Sequence, residues 1–249
     1  DETIWLEEKI SISDIFNFVK TGNSGKDTLV EILHQAHKMN PKVFENSSGY
    51  NITTRLTFSR NWGLGSSSTL INNIAQWFKI DAFELLKLSF GGSGYDIANA
   101  QNNTAILYQI TNEKPTVKPF IFRPNFSKNI FFVYLNQKQS RKEAIASYKE
   151  KRATIAPVVE QIDKITKEAI IAENVSQFAS LMKKHESVLS LVLETKPVHE
   201  RLFPDFNGTV KSLGAWGGDF VMAISEENPS DYFIEKGYKT ILTYEEMIL

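Results

Sequence analysis

One stretch rich in glycine and serine constrains the fold of this chain more than any other, and it spans residues 60–70, RNWGLGSSSTL. Ahead of it, apolar side chains alternate with other residues from Tyr50 to Phe58, which predicts a β-strand. Behind it, apolar residues recur at helical spacing from Leu70 to Phe78, which predicts an α-helix. The glycines therefore lie in a strand-to-helix turn, at the N-terminus of the helix.

A turn of this kind is suited to binding an anion. Gly63 and Gly65 can adopt positive φ angles and let the backbone approach a ligand closely. The first N–H groups of a helix have no carbonyl partner within it, and the helix dipole adds partial positive charge there, so phosphate is the usual anion. The alternative is a plain Gly-Ser turn in which a serine caps the helix and nothing binds.

Two further glycine clusters follow. Residues 91–96 read GGSGYD, where Asp96 either presents a reactive carboxylate beside a flexible turn or caps the helix predicted from Ile97. Residues 211–219 read KSLGAWGGD and precede a predicted strand, Phe220–Ile224. A glycine-rich turn before a strand is also common in hairpins, so this cluster is weak evidence by itself.

The order of the three clusters resembles that of the GHMP kinases, the superfamily named after galactokinase, homoserine kinase, mevalonate kinase and phosphomevalonate kinase. That family binds phosphate with the motif Pro-x-x-x-Gly-Leu-Gly-Ser-Ser-Ala, which residues 63–67 match; Ser68 replaces the alanine, and the proline has no counterpart. Residues 93–96 match a Ser-Gly-x-Asp motif of mevalonate kinase. The third cluster fits Gly-Ala-Gly-x-Gly-Gly, with Trp216 at a glycine position and the spacing shorter by one residue.

The resemblance implies a role for each cluster, closest to the roles in mevalonate and phosphomevalonate kinases. The first cluster binds ATP, with Mg²⁺ held by Ser67 and Glu84, although Glu84 stands one residue out of register and is otherwise a solvated helix residue. Asp96 is the catalytic residue, which orients or deprotonates the acceptor hydroxyl. The implied cofactor-binding residues are Gly63, Leu64, Gly65, Ser66, Ser67 and Ser68, and the implied substrate-binding residues are Ser93, Gly94, Tyr95, Gly214, Ala215, Gly217 and Gly218. Trp62 either stacks on adenine or packs the first turn against the protein.

The resemblance also implies an α+β fold of two lobes. Residues 1–127 form a nucleotide-binding lobe like ribosomal protein S5, and residues 128–249 form a ferredoxin-like lobe. The family's first motif, which carries a lysine on the first strands of the N-terminal lobe, has no match in residues 1–20. We therefore expect these strands to lie ahead of Asp1; the alternative is a degenerate first motif within the chain.

Periodicity predicts the remaining elements, whose mixture also indicates an α+β architecture. Strands are predicted at 3–6, 104–110, 116–122 and 129–135, and the last of these is apolar enough to be buried. A helix over residues 29–40, another capped by Asp81, and a long helical region from Ser140 to Leu193, broken near Glu173 and Asn174, complete the pattern.

The function predicted from the resemblance is transfer of the γ-phosphoryl group of ATP to an alcohol of a mevalonate-like hydroxy acid. Two alternatives remain open. One is a lyase similar to diphosphomevalonate decarboxylase, which shares the fold. The other is a nucleotide-binding relative without catalysis, which the unmatched first motif and Trp216 in the third would suit.

Composition narrows the possible partners. The chain of 249 residues has a formal net charge of −1, which gives no support to nucleic-acid binding, and no cysteine, which excludes disulfides and thiolate chemistry. No apolar run approaches the roughly 18 residues of a membrane span, and no signal peptide is visible. We expect a cytoplasmic protein with a small-molecule substrate and without nucleic-acid or membrane partners; the oligomeric state is left open.

Overall fold

The computed structural model describes residues 4–45, 48–112, 114–136, 156–214 and 219–248. These residues contain both helices and strands, which confirms the predicted α+β class. The chain divides into two compact units: unit 1 comprises residues 1–60 and 64–121, and unit 2 comprises residues 61–63 and 122–249. The lobe boundary after residue 127 remains a prediction.

Unit 1 is mainly helical. Its helices are α1 (Ile12–Phe16), α2 (Ser24–Met39), α3 (Lys42–Glu45), α4 (Ser66–Phe78), α5 (Ala82–Ser89) and α6 (Tyr95–Ala100). Apolar side chains at helical spacing pack into one core, in which Phe78, Leu85 and Ile97 are fully buried. Each such side chain contributes about 1.5–3 kcal/mol relative to an exposed one.

Local signals set the ends of these helices. Asp81 caps α5 as predicted, because its carboxylate accepts the N–H groups of Phe83 and Glu84 at 2.7 and 3.1 Å. Lys79 ends α4 in the left-handed conformation, with φ of 55°. The consequence is a sharp turn between α4 and α5, two helices that pack against each other.

The strands of unit 1 differ from the prediction. An antiparallel hairpin joins β1 (Ala105–Thr111) and β2 (Lys114–Phe120), in the register Ala105–Phe120 to Thr111–Lys114. The strands predicted at 3–6 and 50–58 are wrong, since residues 4–6 and 50–58 contain no strand. A strand needs a neighbour to bind its N–H and C=O groups, and β1 and β2 are the whole sheet among the described residues of unit 1. Alternation alone therefore did not produce a strand, and Tyr50 and Ile52 remain exposed.

Unit 2 contains a four-stranded antiparallel sheet. Its strands are β3 (Ile130–Tyr134), β4 (Thr209–Ser212), β5 (Phe220–Ile224) and β6 (Ile241–Thr243), in the order β4-β5-β3-β6. Its described helices are α7 (Ala156–Ala169), α8 (Val175–Leu193), α9 (Val198–Leu202), α10 (Ser230–Glu235) and α11 (Tyr244–Met247).

Apolar clusters cover both faces of this sheet. Ile130 and Phe132 of β3 pack into a cluster with side chains of α7 and α8. Phe131 and Val133, which point to the opposite face, pack into a second cluster with side chains of α9 and α10. Burial on both faces explains why β3 is a continuous apolar run, as the sequence predicted.

The long helical region breaks where the sequence predicts. Asn174 caps α8 by accepting the N–H of Gln177 at 2.9 Å. Residues 140–155 of the predicted helical region lie outside the described residues, and Pro157 is the second residue of α7. Of the helices that the structure describes, none has both the length and the apolar character needed to cross a membrane.

Candidate functional site

The first glycine turn leads into α4 without a side-chain cap. Gly65 occupies the N-cap position with φ of 76°, and its carbonyl oxygen accepts the N–H of Thr69 at 3.0 Å. The alternative of a serine cap is therefore wrong. Ser66, Ser67 and Ser68 form the first turn of the helix, where N–H groups have no intrahelical acceptor.

The backbone of this turn takes a form that favours glycine at two positions. Gly63 and Gly65 both have positive φ angles, of 68° and 76°. Leu64 and Ser67 are exposed, whereas Ser66 and Ser68 are partly buried. The turn thus presents backbone donors and one exposed hydroxyl at the positive end of a 13-residue helix.

The carboxyl group of Asp96 lies directly against Gly65. A methyl group added at Gly65 would lie 3.2 Å from Cγ of Asp96 and 3.3 Å from its Oδ1. The fold of unit 1 therefore brings together the first cluster and the acidic residue of the second. A carboxylate beside a set of backbone donors is an arrangement suited to placing a hydroxyl next to a bound phosphate.

Asp96 does not cap its helix. The N-cap of α6 is Gly94, with φ of 84°, and Asp96 is the second residue of the helix. An acidic residue in the first turn is stabilised by the helix dipole. The helix-cap interpretation of Asp96 is therefore wrong, and its side chain is directed to Gly65.

Two aromatic residues that the sequence analysis did not single out support the second cluster. A methyl group at Gly94 would lie 3.0 Å from the ring of Phe83 and 3.2 Å from the hydroxyl of Tyr108. That hydroxyl donates a hydrogen bond to the carbonyl oxygen of Ser93, and burial raises the pKa of Tyr108. Ser93 and Tyr95 are exposed. No local pattern marks Phe83 or Tyr108, because both occupy ordinary apolar positions of α5 and β1.

Glu84 lies in the first turn of α5 and is exposed. Its backbone N–H is bound by Asp81, which fixes the start of the helix. The described part of the chain holds no group of three or more His, Asp or Glu side chains close enough to bind a metal. A role for Glu84 in holding Mg²⁺ stays a prediction.

The third cluster belongs to unit 2 and is described only at its two ends. β4 ends at Ser212, and the N–H of Leu213 donates to the carbonyl oxygen of Phe220 at 3.1 Å. Gly214 is exposed and has a φ of 66°. Ala215, Gly217 and Gly218 lie outside the described residues, so the substrate role of this cluster stays a prediction.

Trp62, just ahead of the first turn, packs against aromatic side chains of unit 2. Its ring meets Phe220 edge-on at a centroid distance of 5.5 Å and lies 6.4 Å from the ring of Tyr134. The hydroxyl of Tyr134 donates to the carbonyl oxygen of Asn61 at 2.9 Å. These contacts favour packing, rather than adenine stacking, as the role of Trp62.

Comparison of the sequence with known protein families and with curated proteins finds no match. Solved structures do match. The mevalonate kinase of Methanococcus jannaschii superimposes with a TM-score of 0.61 at 19% identity, over 93% of this chain and 78% of that one. The chain has the fold of the mevalonate kinases. The fold predicted from the three glycine clusters is thereby confirmed.

Two further structures share this mevalonate-kinase fold. The Lin0012 protein from Listeria innocua matches with a TM-score of 0.60 at 16% identity, over 92% of this chain and 78% of that one. The mevalonate kinase of L. major, solved in complex with R-mevalonate, matches with a TM-score of 0.52 at 17% identity. That match covers 73% of this chain and 64% of the L. major chain.

Proposed function

We propose that this chain is a phosphotransferase of the GHMP kinase superfamily, which transfers the γ-phosphoryl group of ATP to an alcohol of a small hydroxy acid. The observation that carries the proposal is the contact between Gly65 and the carboxyl group of Asp96. This contact puts a glycine turn that is suited to binding phosphate next to a carboxylate that could accept a proton, and phosphoryl transfer to an alcohol needs both functions.

The turn from Gly63 to Ser68 would hold the phosphates of ATP. Backbone N–H groups at the start of α4 donate to phosphate oxygens, and the absence of a side chain at Gly65 lets the phosphates approach the backbone. When bound, Mg²⁺ would neutralise part of the phosphate charge. This ion takes only a few ligands from the protein, and the exposed hydroxyl of Ser67 could be one of them. Glu84 is a second candidate ligand.

Asp96 would act on the acceptor. Its carboxylate accepts a hydrogen bond from the acceptor hydroxyl, aligns the oxygen with the transferred phosphorus, and takes the proton as the new bond forms. Ser93, Gly94 and Tyr95 lie just ahead of it, where Tyr108 and Phe83 fix the backbone. These residues would form part of the acceptor site.

The acceptor is proposed to be mevalonate or a chemically similar hydroxy acid, since the matched structures include those of mevalonate kinases. A small molecule is the proposed partner, and the net charge of −1 gives no reason to expect nucleic acid.

The experiment measures ADP release from Mg²⁺-ATP with a panel of alcohols: R-mevalonate, phosphomevalonate, homoserine and galactose. We expect one hydroxy acid to be phosphorylated, with the phosphate ester identified by mass spectrometry. Asp96→Asn serves as the control for a contaminating kinase. ADP release that belongs to this protein should fall in the variant, whereas ADP release by a contaminant would not change. ATP binding without turnover on any acceptor would contradict the proposal.

A nucleotide-binding protein without catalysis is the second candidate function. Trp216 favours it, because a large side chain stands where the family's third motif has glycine. Trp216→Gly separates the two candidate functions. If the protein is a kinase, turnover in the variant should equal or exceed that of the wild type. If it only binds nucleotide, neither the wild type nor the variant should show turnover.

A further inference from the structure

A buried amide side chain lies in the middle of α4, the helix that begins at the first glycine turn. Asn72 is only 2% exposed, although its side chain is polar. A buried amide is costly unless it has a hydrogen-bond partner, and asparagine also forms helices less readily than alanine or leucine. Asn72 therefore lowers the stability of α4 unless another element supplies a partner.

The partner of Asn72 comes from α6. Nε2 of Gln101 donates to Oδ1 of Asn72 at 3.1 Å. Gln101 is the C-cap residue of α6, and its backbone N–H donates to the carbonyl oxygens of Ile97 and Ala98 at 3.1 and 3.3 Å. The side chain that binds Asn72 is therefore attached to a well-defined end of α6.

This hydrogen bond is a second point of contact between the two helices. At their N-termini, the carboxyl group of Asp96 lies against Gly65. Asn72 follows Gly65 by nearly two helical turns, so it lies close to the same face of α4 and about 10 Å further along the axis. α4 and α6 therefore run in the same direction from the Gly65–Asp96 contact, and Asn72 and Gln101 join them further along.

Apolar side chains of α4 and α6 also pack in one core. Ile71 of α4 and Ile97 of α6 belong to the same cluster and are fully buried. Apolar burial has no preferred direction, whereas a hydrogen bond weakens steeply when its angle changes. In coiled coils, a buried asparagine sets the register of paired helices at some cost in stability. The bond between Asn72 and Gln101 is suited to the same task between α4 and α6.

Other elements hold the first turn of α6. The hydroxyl of Tyr108, on β1, donates to the carbonyl oxygen of Ser93, and the ring of Phe83, on α5, lies against Gly94. These contacts place the start of α6 on α5 and β1. The bond to Asn72 adds a link to α4, the helix whose N-terminus carries the proposed phosphate site.

We infer that Asn72 and Gln101 are positioning residues for Asp96, and this rests on the proposed function. They are not catalytic residues, because their hydrogen bond lies about 10 Å along α4 from Gly65. By holding α6 against α4, they keep the carboxylate of Asp96 at a fixed distance from a phosphate bound at Gly65. Phosphoryl transfer needs the acceptor oxygen in line with the phosphorus, so this distance affects turnover more than ATP binding.

The central test protein combines Asn72→Leu with Gln101→Met and is called the paired variant. Both replacements are apolar and close in size to the original residues, and removing both partners of a hydrogen bond in this way can leave stability nearly unchanged. Gln101→Met alone is the second variant, which should fold even if leucine at position 72 disturbs the core, because Gln101 is exposed. Asn73→Leu is the matched control, since Asn73 is the next residue of α4 and is exposed.

The first measurement is kcat with Mg²⁺-ATP and the acceptor that the wild type phosphorylates best, alongside calorimetric ATP affinity. Misplacement by about 1 Å can cost roughly 100-fold in rate, so we expect kcat of the paired variant to fall by about 10- to 100-fold. Gln101→Met should change kcat in the same direction, and Asn73→Leu should not change it. ATP affinity should be that of the wild type in every variant. Unchanged kcat in Gln101→Met and in a folded paired variant, or an equal loss of ATP affinity, would overturn the inference.

The second measurement repeats both substitutions in the Asp96→Asn background and follows single-turnover rates. Residues that act as a unit have non-additive effects, so the substitutions should cost little once the carboxylate is absent. We expect a further fall of less than about threefold. A fall as large as in the wild-type background would show a general structural role and overturn the inference.

The two proposals fail in different ways. If the wild type transfers phosphate and both the paired variant and Gln101→Met keep its kcat, the inference falls and the proposed function stands. If the wild type phosphorylates no acceptor, the proposed function falls, and the positioning role of Asn72 and Gln101 falls with it.

Discussion

The first and third glycine clusters differ in what binds the backbone N–H and C=O groups next to them. The first turn opens α4 with N–H groups that have no acceptor in the helix, and its cap residue has no side chain. Ahead of the third cluster, β4 ends at Ser212, whose N–H and C=O groups are bound by the side chains of Glu186 and Lys211. The first cluster therefore offers backbone donors to a ligand, whereas the strand end ahead of the third cluster has its backbone groups bound within the protein.

The carboxylates beside the two turns differ in the same sense. Glu186 is buried, and three donors within the protein bind it. Asp96 is partly buried and lies against Gly65, at the N-terminus of α4. The surroundings of each carboxylate, rather than its residue type, separate a structural anchor from a candidate catalyst.

The largest expected effect belongs to Asp96→Asn. Asparagine is nearly isosteric, so nucleotide affinity and fold should persist, whereas proton acceptance is lost. Removing a general base lowers turnover by roughly 100- to 10,000-fold, which is about 3–5 kcal/mol of transition-state stabilisation. The measurement is kcat for phosphate transfer, alongside calorimetric ATP affinity. Turnover equal to that of the wild type would remove Asp96 from the mechanism and end the contrast with Glu186.

The next effect concerns how far water is excluded from His185, which precedes Glu186 on α8. Burial, and then the nearby charge of Lys211, lower the pKa of His185 on α8 to about 4. Nδ1 of His185 is buried without a hydrogen-bond partner among the described residues. Because the unfolded chain, with a pKa near 6.5, takes up the proton first, the free energy of unfolding should fall as pH drops from about 6.5 to 4.

Urea denaturation at several pH values measures this loss. We expect about 2 kcal/mol, reduced from the full pKa shift because His185 is partly exposed. His185→Gln should lack the same pH dependence, whatever its absolute stability. If the free energy of unfolding depends on pH equally in the variant and the wild type, water reaches His185 in the folded protein.

A pair of alanine substitutions tests the open turn. Gly65 and Gly91 both have positive φ, of 76° and 67°, so alanine strains either site by about 1–2 kcal/mol. At Gly91 the new methyl group meets nothing within 4 Å, whereas at Gly65 it meets Asp96 at 3.2 Å. Calorimetry should show that Gly65→Ala weakens Mg²⁺-ATP binding by tenfold or more, about 1.4 kcal/mol. Gly91→Ala should bind normally, and equal losses in both variants would indicate strain rather than contact.

The smallest effect concerns α5, which Asp81 caps and which packs against the uncapped helix α4. Asp81→Ala removes the side chain that binds the N–H groups of Phe83 and Glu84 at the start of α5. We expect a loss of about 1 kcal/mol in the free energy of unfolding. ATP affinity should stay unchanged, because only α4 presents its first N–H groups to the proposed ligand. A change in affinity would extend the phosphate site to α5.

The sequence predicted features that depend on neighbours in the chain. The cap at Asp81, the helix break near Glu173 and Asn174, and the buried strand β3 all follow from short patterns, and the structure contains them. Residues 50–58 show the limit, because their alternation fits a strand that also needs a pairing partner elsewhere. Local pattern is necessary for a strand and does not suffice.

The candidate site was predictable in its membership and not in its contacts. The resemblance to GHMP kinases selected Gly65 and Asp96, but only tertiary packing places them together. Glu186 shows the opposite case. A single glutamate in an amphipathic helix is expected in solvent, and its burial depends on donors from α9 and β4 that no local pattern announces.

The burial of β3 on both faces has a consequence for how unit 2 unfolds. Ile130 and Phe132 belong to one apolar cluster, and Phe131 and Val133 belong to the other, within a strand of five residues. The helices on one side therefore cannot lose their support while those on the other keep theirs. Unit 2 should behave as one cooperative element, whose α7 and α9 melt at the same denaturant concentration although they pack in different cores.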